Sequence, residues 1–145
     1  MYITRYTDYS LRVLIYTAAK GETQSTIREI ADSYGISKNH LMKVVQELNI
    51  KGYLIAQRGK NGGLRLKGDA KNINIGKLVR ETEQDALVDC FKGGIGCIIT
   101  PACHLKIVFA EALEAFFKTL DQYSLADLLP EQHQPELLKL LQIPS

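Results

Sequence analysis

The sequence predicts a mainly α-helical fold with one small β-hairpin, on three observations. Three amphipathic segments follow one another from the N-terminus; only Gly-Ile-Ser separates the second from the third; and two β-prone runs then flank "GKNGG". A tight, glycine-containing turn between two short amphipathic helices is the pattern of a helix-turn-helix, and Asn-Gly between strand-like runs signals a hairpin. Helix, helix-turn-helix and hairpin in that order predict a winged helix-turn-helix DNA-binding domain over residues 1–70. Residues 71–100 then read as a connecting helix and a cysteine loop, and residues 101–145 as a long dimerisation helix and a C-terminal tail.

Each element has its own warrant. In "TDYSLRVLIYTAAKG", Leu11, Leu14, Ile15 and Ala18 share one helical face, and Gly21 suits the stop. In "STIREIADSYG", Thr26 and Glu29 have capping-box spacing, Ile27, Ile30, Ala31 and Tyr34 form the apolar stripe, and Gly35 ends it. In "ISKNHLMKVVQELNIKG", Ser37 is the expected cap, and Leu41, Val44, Val45 and Leu48 face inward. "NIGKLVRETE" reads as a further short helix. From Pro101 a long helix is expected to about Tyr123, with Leu105, Phe109, Ala112, Phe116, Leu120 and Tyr123 on one face. "SLADLL" suggests one more short helix, and "PEQHQPELLKLLQIPS" a loosely docked tail.

Charge is unevenly placed along the chain. The net charge of +2 hides eleven basic against five acidic residues in 1–67, and seven against eleven in 68–145. A basic front half suits a polyanionic partner. The second helix of a helix-turn-helix enters the major groove by its N-terminal end. That end carries Ser37, Lys38, Asn39, His40 and Lys43, with lysine suited to guanine or phosphate and asparagine to adenine. The hairpin tip adds Arg58, Lys60 and Asn61 for phosphate or the minor groove. Singly these are ordinary solvated side chains; together with the tight turn and the basic excess they predict double-stranded DNA as the partner. Two-fold dimers reading two half-sites are the usual arrangement for such domains, and the long helix is the expected dimer element.

All three cysteines lie in "DCFKGGIGCIITPACHL": Cys90, Cys97 and Cys103. An odd number cannot all pair. The N-terminus lacks the apolar core of a signal peptide and no run is long enough to span a membrane, so a cytoplasmic protein with reduced thiols is expected. The gaps of six and five residues are wider than those of compact zinc sites. Gly93, Gly94 and Gly96 let backbone wrap closely, and Cys103 lies near a helix start, where the dipole favours an anion. Small buried cysteines, a thiol switch and zinc are the competing readings; an iron–sulfur cluster ranks first among them. No oriented triad accompanies His104 beside Cys103, so an enzyme is not expected.

Taken together, "YTDYSLRVLIY", "IADSYGISKNHLMKVVQEL", "GKNGGLRL" and the "CIITPAC" loop resemble the iron–sulfur winged-helix transcriptional repressors of the NsrR/IscR type, over nearly the whole chain. The likeness is greatest to the nitric-oxide-sensing branch, through "KNHLMKVV", "RGKNGG", "CIITPAC" and "LDQYSLADLL". The resemblance implies a homodimeric repressor that releases DNA when nitric oxide destroys its cluster. It implies a 4Fe-4S or 2Fe-2S cluster on Cys90, Cys97 and Cys103 plus one non-cysteine ligand. The other branch uses a histidine three residues after the last cysteine, and this chain has none there. Asp89, His104 and Asp8 remain as candidates for that ligand. Relatives carry an acid in the "YTDY" context and donate it from the other subunit, which favours Asp8. The other readings are a redox-responsive regulator of cluster assembly or stress genes, and a cluster carrier that does not bind DNA.

Overall fold

The computed structural model describes residues 2–83 and 97–144; Cys90, Asp89 and the three loop glycines lie outside them. Helix α1 spans Arg5–Lys20, starting two residues before the predicted segment, because Thr4 caps it by accepting a bond from the Thr7 N–H. Its core face is also rotated from the predicted one. Thr7, Ser10, Val13, Leu14 and Thr17 are buried, while Leu11, Ile15 and Ala18 are only partly covered. The hydroxyls tolerate burial because they are satisfied locally. Ser10 donates to the Tyr6 carbonyl at 2.7 Å and Thr17 to the Val13 carbonyl at 3.0 Å.

Helix α2, Ile27–Tyr34, is capped as predicted, Thr26 accepting from the Glu29 N–H. Gly35 ends it in the left-handed conformation at φ +68°, which L side chains rarely adopt. Helix α3, Lys38–Ile50, buries Leu41, Val44, Val45 and Leu48, as its spacing requires. Ser37 corrects an expectation: it precedes α3 but its side chain makes no capping hydrogen bond.

Strands β1, Leu54–Gln57, and β2, Gly63–Leu66, pair antiparallel with Leu54 opposite Leu66 and Gln57 opposite Gly63. The turn is therefore the five residues 58–62 rather than a two-residue Asn-Gly turn. The positive φ of +109° falls on Gly59, and a Cβ on Gly62 would collide with the Gln57 carbonyl oxygen. Ser25 adds a bridge to β2, exchanging bonds with Leu64, so the wing is anchored to the entry of α2.

Helix α4 spans Ile75–Thr82 and α5 His104–Leu120. Pro101 belongs to a 3-10 turn, Thr100–Ala102, so the long helix begins after Cys103 and not at Pro101. The chain leaving α5 pairs with the chain entering α4: Ile75 N–H donates to the Tyr123 carbonyl at 2.9 Å and Leu125 N–H to that of Ile73 at 2.8 Å. Arg80 of α4 clasps Asp121, and a Cβ on Gly76 would collide with the Asp121 carboxylate.

The tail is not loosely docked. Helix α6, Gln134–Leu140, has only seven residues, too few to persist alone. It is held because Leu141 and Ile143 enter the common core and Ser33 of α2 donates to the Leu141 carbonyl at 2.7 Å. Burying two aliphatic side chains is worth roughly 3–6 kcal/mol, which offsets the ordering of this short segment. "SLADLL" forms a 3-10 turn with Leu125 fully buried.

Candidate nucleic-acid interface and metal centre

The outward face of α3 carries Asn39, Met42, Lys43, Gln46 and Asn49, three or four residues apart and opposite the Leu41–Leu48 stripe. They line a groove of about 820 Å³ that continues to Ala56 and Arg58 of the wing. The groove gathers two of the sequence candidates, Asn39 and Lys43, on one helix face with Arg58. Gln46 and Asn49 were missed. Helical spacing from Asn39 and Lys43 could have found them, because amide side chains there sit on the same face. Lys38 and Arg58 border a second, adjoining cleft of about 380 Å³ between the wing and the start of α2. Lys60 and Asn61 are exposed in the wing turn and Ser37 is exposed before α3. His40 sits toward α1, its ring centroid 6.5 Å from that of Tyr9. Among the described residues, none of Lys38, Lys43, Arg58 and Lys60 is paired with a carboxylate. Lys38, Lys43 and Arg58 line the two adjoining clefts without an ion-pair partner among the described residues, an arrangement that suits a phosphate backbone.

Cys97 and Cys103 are free, the first exposed and the second partly buried. They bracket the Thr100–Ala102 turn, which is closed by bonds from Thr100 N–H to the Cys97 carbonyl and from Cys103 N–H to the Thr100 carbonyl. Cys103 occupies the N-cap of α5 without using its side chain to cap. Two unpaired sulfurs on a short turn, neither consumed by helix capping, fit a soft-metal group such as an iron–sulfur cluster. Cys90, the third sulfur, lies outside the described residues, and no group of three metal-binding side chains occurs among the described ones. His104 opens α5 and is exposed.

Asp8 lies in the first turn of α1, about half exposed. Its two oxygens are held by one guanidinium: Arg12 Nε donates to Oδ1 at 3.1 Å, and Nη2 lies 3.0 Å from Oδ2. Arg12 is itself placed between the Tyr9 and Tyr34 rings, 5.7 and 5.6 Å from their centroids. Both residues face an open cleft of about 610 Å³ beside the N-terminal segment.

A polar chain joins the first turn of α1 to the end of α4, where the backbone leads toward Cys90. Thr7 Oγ1 donates to Thr82 Oγ1 at 2.8 Å in the buried interior, and the Thr4 N–H donates to Glu83 at 2.6 Å. Tyr53, at the entry to the wing, donates to Glu81 at 2.7 Å, and Lys51, just after α3, reaches the Tyr6 hydroxyl and the Glu81 carbonyl.

A profile described as "Rrf2: Iron-dependent Transcriptional regulator" matches residues 3–131. The chain belongs to the Rrf2 family. Within it, the HTH-type transcriptional regulator NsrR of Bacillus licheniformis is 51% identical over 97% of this chain and 99% of its own. The NsrR of Bacillus subtilis is 49% identical over 99% of each. The structure of T. potens IscR, 22% identical, superposes with a TM-score of 0.71 over 89% of this chain and 86% of that one, which is a likeness of fold. The winged-helix expectation and the resemblance to NsrR-type Rrf2 regulators are thus borne out. Among the described residues no helix is long and apolar enough to cross a membrane.

Proposed function

We propose that this Rrf2 regulator is a cytoplasmic, homodimeric repressor, not an enzyme, that binds operator DNA through residues 1–70 and releases it in response to nitric oxide. The observation that carries this reading is the near-full-length identity of about one half to two regulators named NsrR. The α3 groove, the adjoining cleft and the wing would supply the DNA-binding side chains: Lys38, Asn39 and Lys43 on the helix, with Ser37 just before it and His40 on its α1 side, and Arg58, Lys60 and Asn61 on the turn. Cys90, Cys97 and Cys103 in the 71–100 segment and at its border would hold a 4Fe-4S or 2Fe-2S cluster, with Asp8 of the partner subunit as the remaining ligand. When bound, that cluster supplies the iron with which nitric oxide reacts.

Two features of this chain support the coupling. Arg12 takes one contact on each Asp8 oxygen, and each carboxylate oxygen keeps a second lone pair, so Asp8 can be oriented by Arg12 and still present an oxygen to a metal. The end of α4 is bonded to the first turn of α1 and to the entry of the wing, so displacement of the cysteine segment acts on both.

The dimer is assigned to α5 and the 101–145 region. Leu105, Ile107 and Val108 are exposed on α5. Leu105, Val108, Ala112 and Ala115 recur at intervals of three and four, a seam on which a second helix can pack closely. Phe116 and Leu120 of the predicted stripe instead pack on their own chain's core.

The test is Asp8→Ala against Asp8→Cys, purified without oxygen. Alanine should alter the cluster spectrum or speed the reaction with nitric oxide, and cysteine should slow it. An alanine variant matching wild type in spectrum, nitric oxide rate and DNA release removes Asp8 from the ligand set. Failure of nitric oxide to release the wild-type protein from a promoter duplex removes the sensing function.

A further inference from the structure

Arg28 lies in the first turn of α2, exposed, with no carboxylate partner among the described residues. A helix start is the positive end of the macrodipole, so an unpaired cation there is disfavoured by the helix that carries it. Glu29, the first-turn acid that suits the dipole, is engaged with Lys20. Arg28 borders the 380 Å³ cleft between α2 and the wing, together with Lys38 and Arg58. Three cations from three elements thus meet at one cleft, and none is neutralised by the protein. The cleft is also braced: Gln24, before α2, donates to the Gln57 side chain at the end of β1 at 3.1 Å, and Ser25 is bonded to Leu64 of β2.

We propose that this cleft is a phosphodiester-binding site and that Arg28 is its principal ligand. The inference rests on the DNA-binding reading and adds to it a residue and a specific role. A helix in the major groove and a hairpin in the adjacent minor groove stand on either side of one sugar–phosphate strand. What lies between α3 and the wing therefore faces that strand. Between them lie the start of α2, with the N–H groups of Ile27 and Arg28 that have no intrahelical acceptor, and the Arg28 guanidinium. Lys38 closes the cleft from α3 and Arg58 from the wing. The site fixes the register of the reading head on the duplex and carries no sequence information itself.

The test measures binding of the wild type, Arg28→Ala and Arg28→Lys by fluorescence anisotropy across a salt series. One probe is a duplex selected from a randomised pool, the other an unselected duplex. Arg28→Ala should weaken binding to both by the same factor, about 10-fold at low salt, as for loss of one charged hydrogen bond. It should lower the salt slope by about one unit per protomer, and Arg28→Lys should keep the slope. Asn39→Ala, by contrast, should lose affinity only for the selected duplex. Replacing the strand-facing phosphate by a neutral methylphosphonate should weaken the wild type but not Arg28→Ala. Unchanged slope and affinity in Arg28→Ala, or a loss confined to the selected duplex, overturns the site. Wild-type protein that binds neither duplex sinks the DNA-binding reading and the site with it, a result distinct from either.

Discussion

Replacing Thr82 by valine tests the link between the cysteine segment and the first helix. The two side chains have nearly the same volume, so packing is preserved and one hydroxyl is removed. Thr7 is fully buried, and its Oγ1 donates to Thr82 Oγ1 while accepting from Thr4 Oγ1 at 3.2 Å. In Thr82→Val that donor loses its acceptor in the buried interior. A buried donor left unsatisfied costs about 1–3 kcal/mol. The bond from Thr82 to the Leu78 carbonyl is also lost, but a carbonyl inside a helix keeps its backbone donor, so this adds little. Thr7→Val/Thr82→Val removes both hydroxyls and leaves only Thr4, which is partly exposed and can turn to solvent. The double variant should therefore lose less than the two single variants together, with a coupling of about 1–2 kcal/mol. Urea unfolding at fixed protein concentration reads this as a midpoint lowered by about 0.5–1 M in Thr82→Val, with partial recovery in the double variant. A single-variant loss under about 0.5 kcal/mol, with strictly additive effects, would show that the tie carries no energy and refute its role in coupling α4 to α1.

Alkaline stability follows from the tyrosines. Burial raises Tyr34 from the usual 10.0 to about 12, the Arg12 charge opposing in part, while its hydroxyl donates to the Arg12 carbonyl. Because the folded value exceeds the unfolded one, this contribution is complete below pH 10 and is lost as pH rises toward 12. Tyr34→Phe should flatten the fall in unfolding free energy over that interval, and an unchanged slope would exclude Tyr34 as its source. Tyr53 is raised in the same direction by burial and by its bond to Glu81, so Tyr53→Phe should flatten the profile further at the alkaline end. On α5, Val108→Glu alters a side chain exposed in the single chain, so it should leave the fold intact and raise the dimer dissociation constant by about 100-fold or more, through the desolvation of a charge at the seam. Sedimentation would read this directly, and a dimer as tight as wild type would place the interface elsewhere.

The sequence alone determined α2, α3, α4 and the hairpin, because there the apolar period and the burial agree, although the Ser37 cap expected for α3 does not form. Leu41, Val44, Val45 and Leu48 are buried as their spacing demands, and Thr26 caps as its distance from Glu29 suggests. It also placed the cysteines on one short segment and the basic residues in the front half, since both are matters of chain order. It misplaced the core face of α1, because Ser10 and Thr17 count as polar in a pattern but satisfy their hydroxyls on their own helix. Tertiary structure decided three further things. It docked the tail, whose Leu141 and Ile143 join the common core and whose Leu141 carbonyl is held by Ser33, 108 positions earlier. It divided the predicted stripe, turning Phe116 and Leu120 onto the core and leaving Leu105 and Tyr123 exposed. And it brought Arg28 to Lys38 and Arg58, and Thr82 to Thr7. The physical reason is common to all three: local pattern reports what a segment needs to bury or satisfy, and only the packed chain supplies the partner.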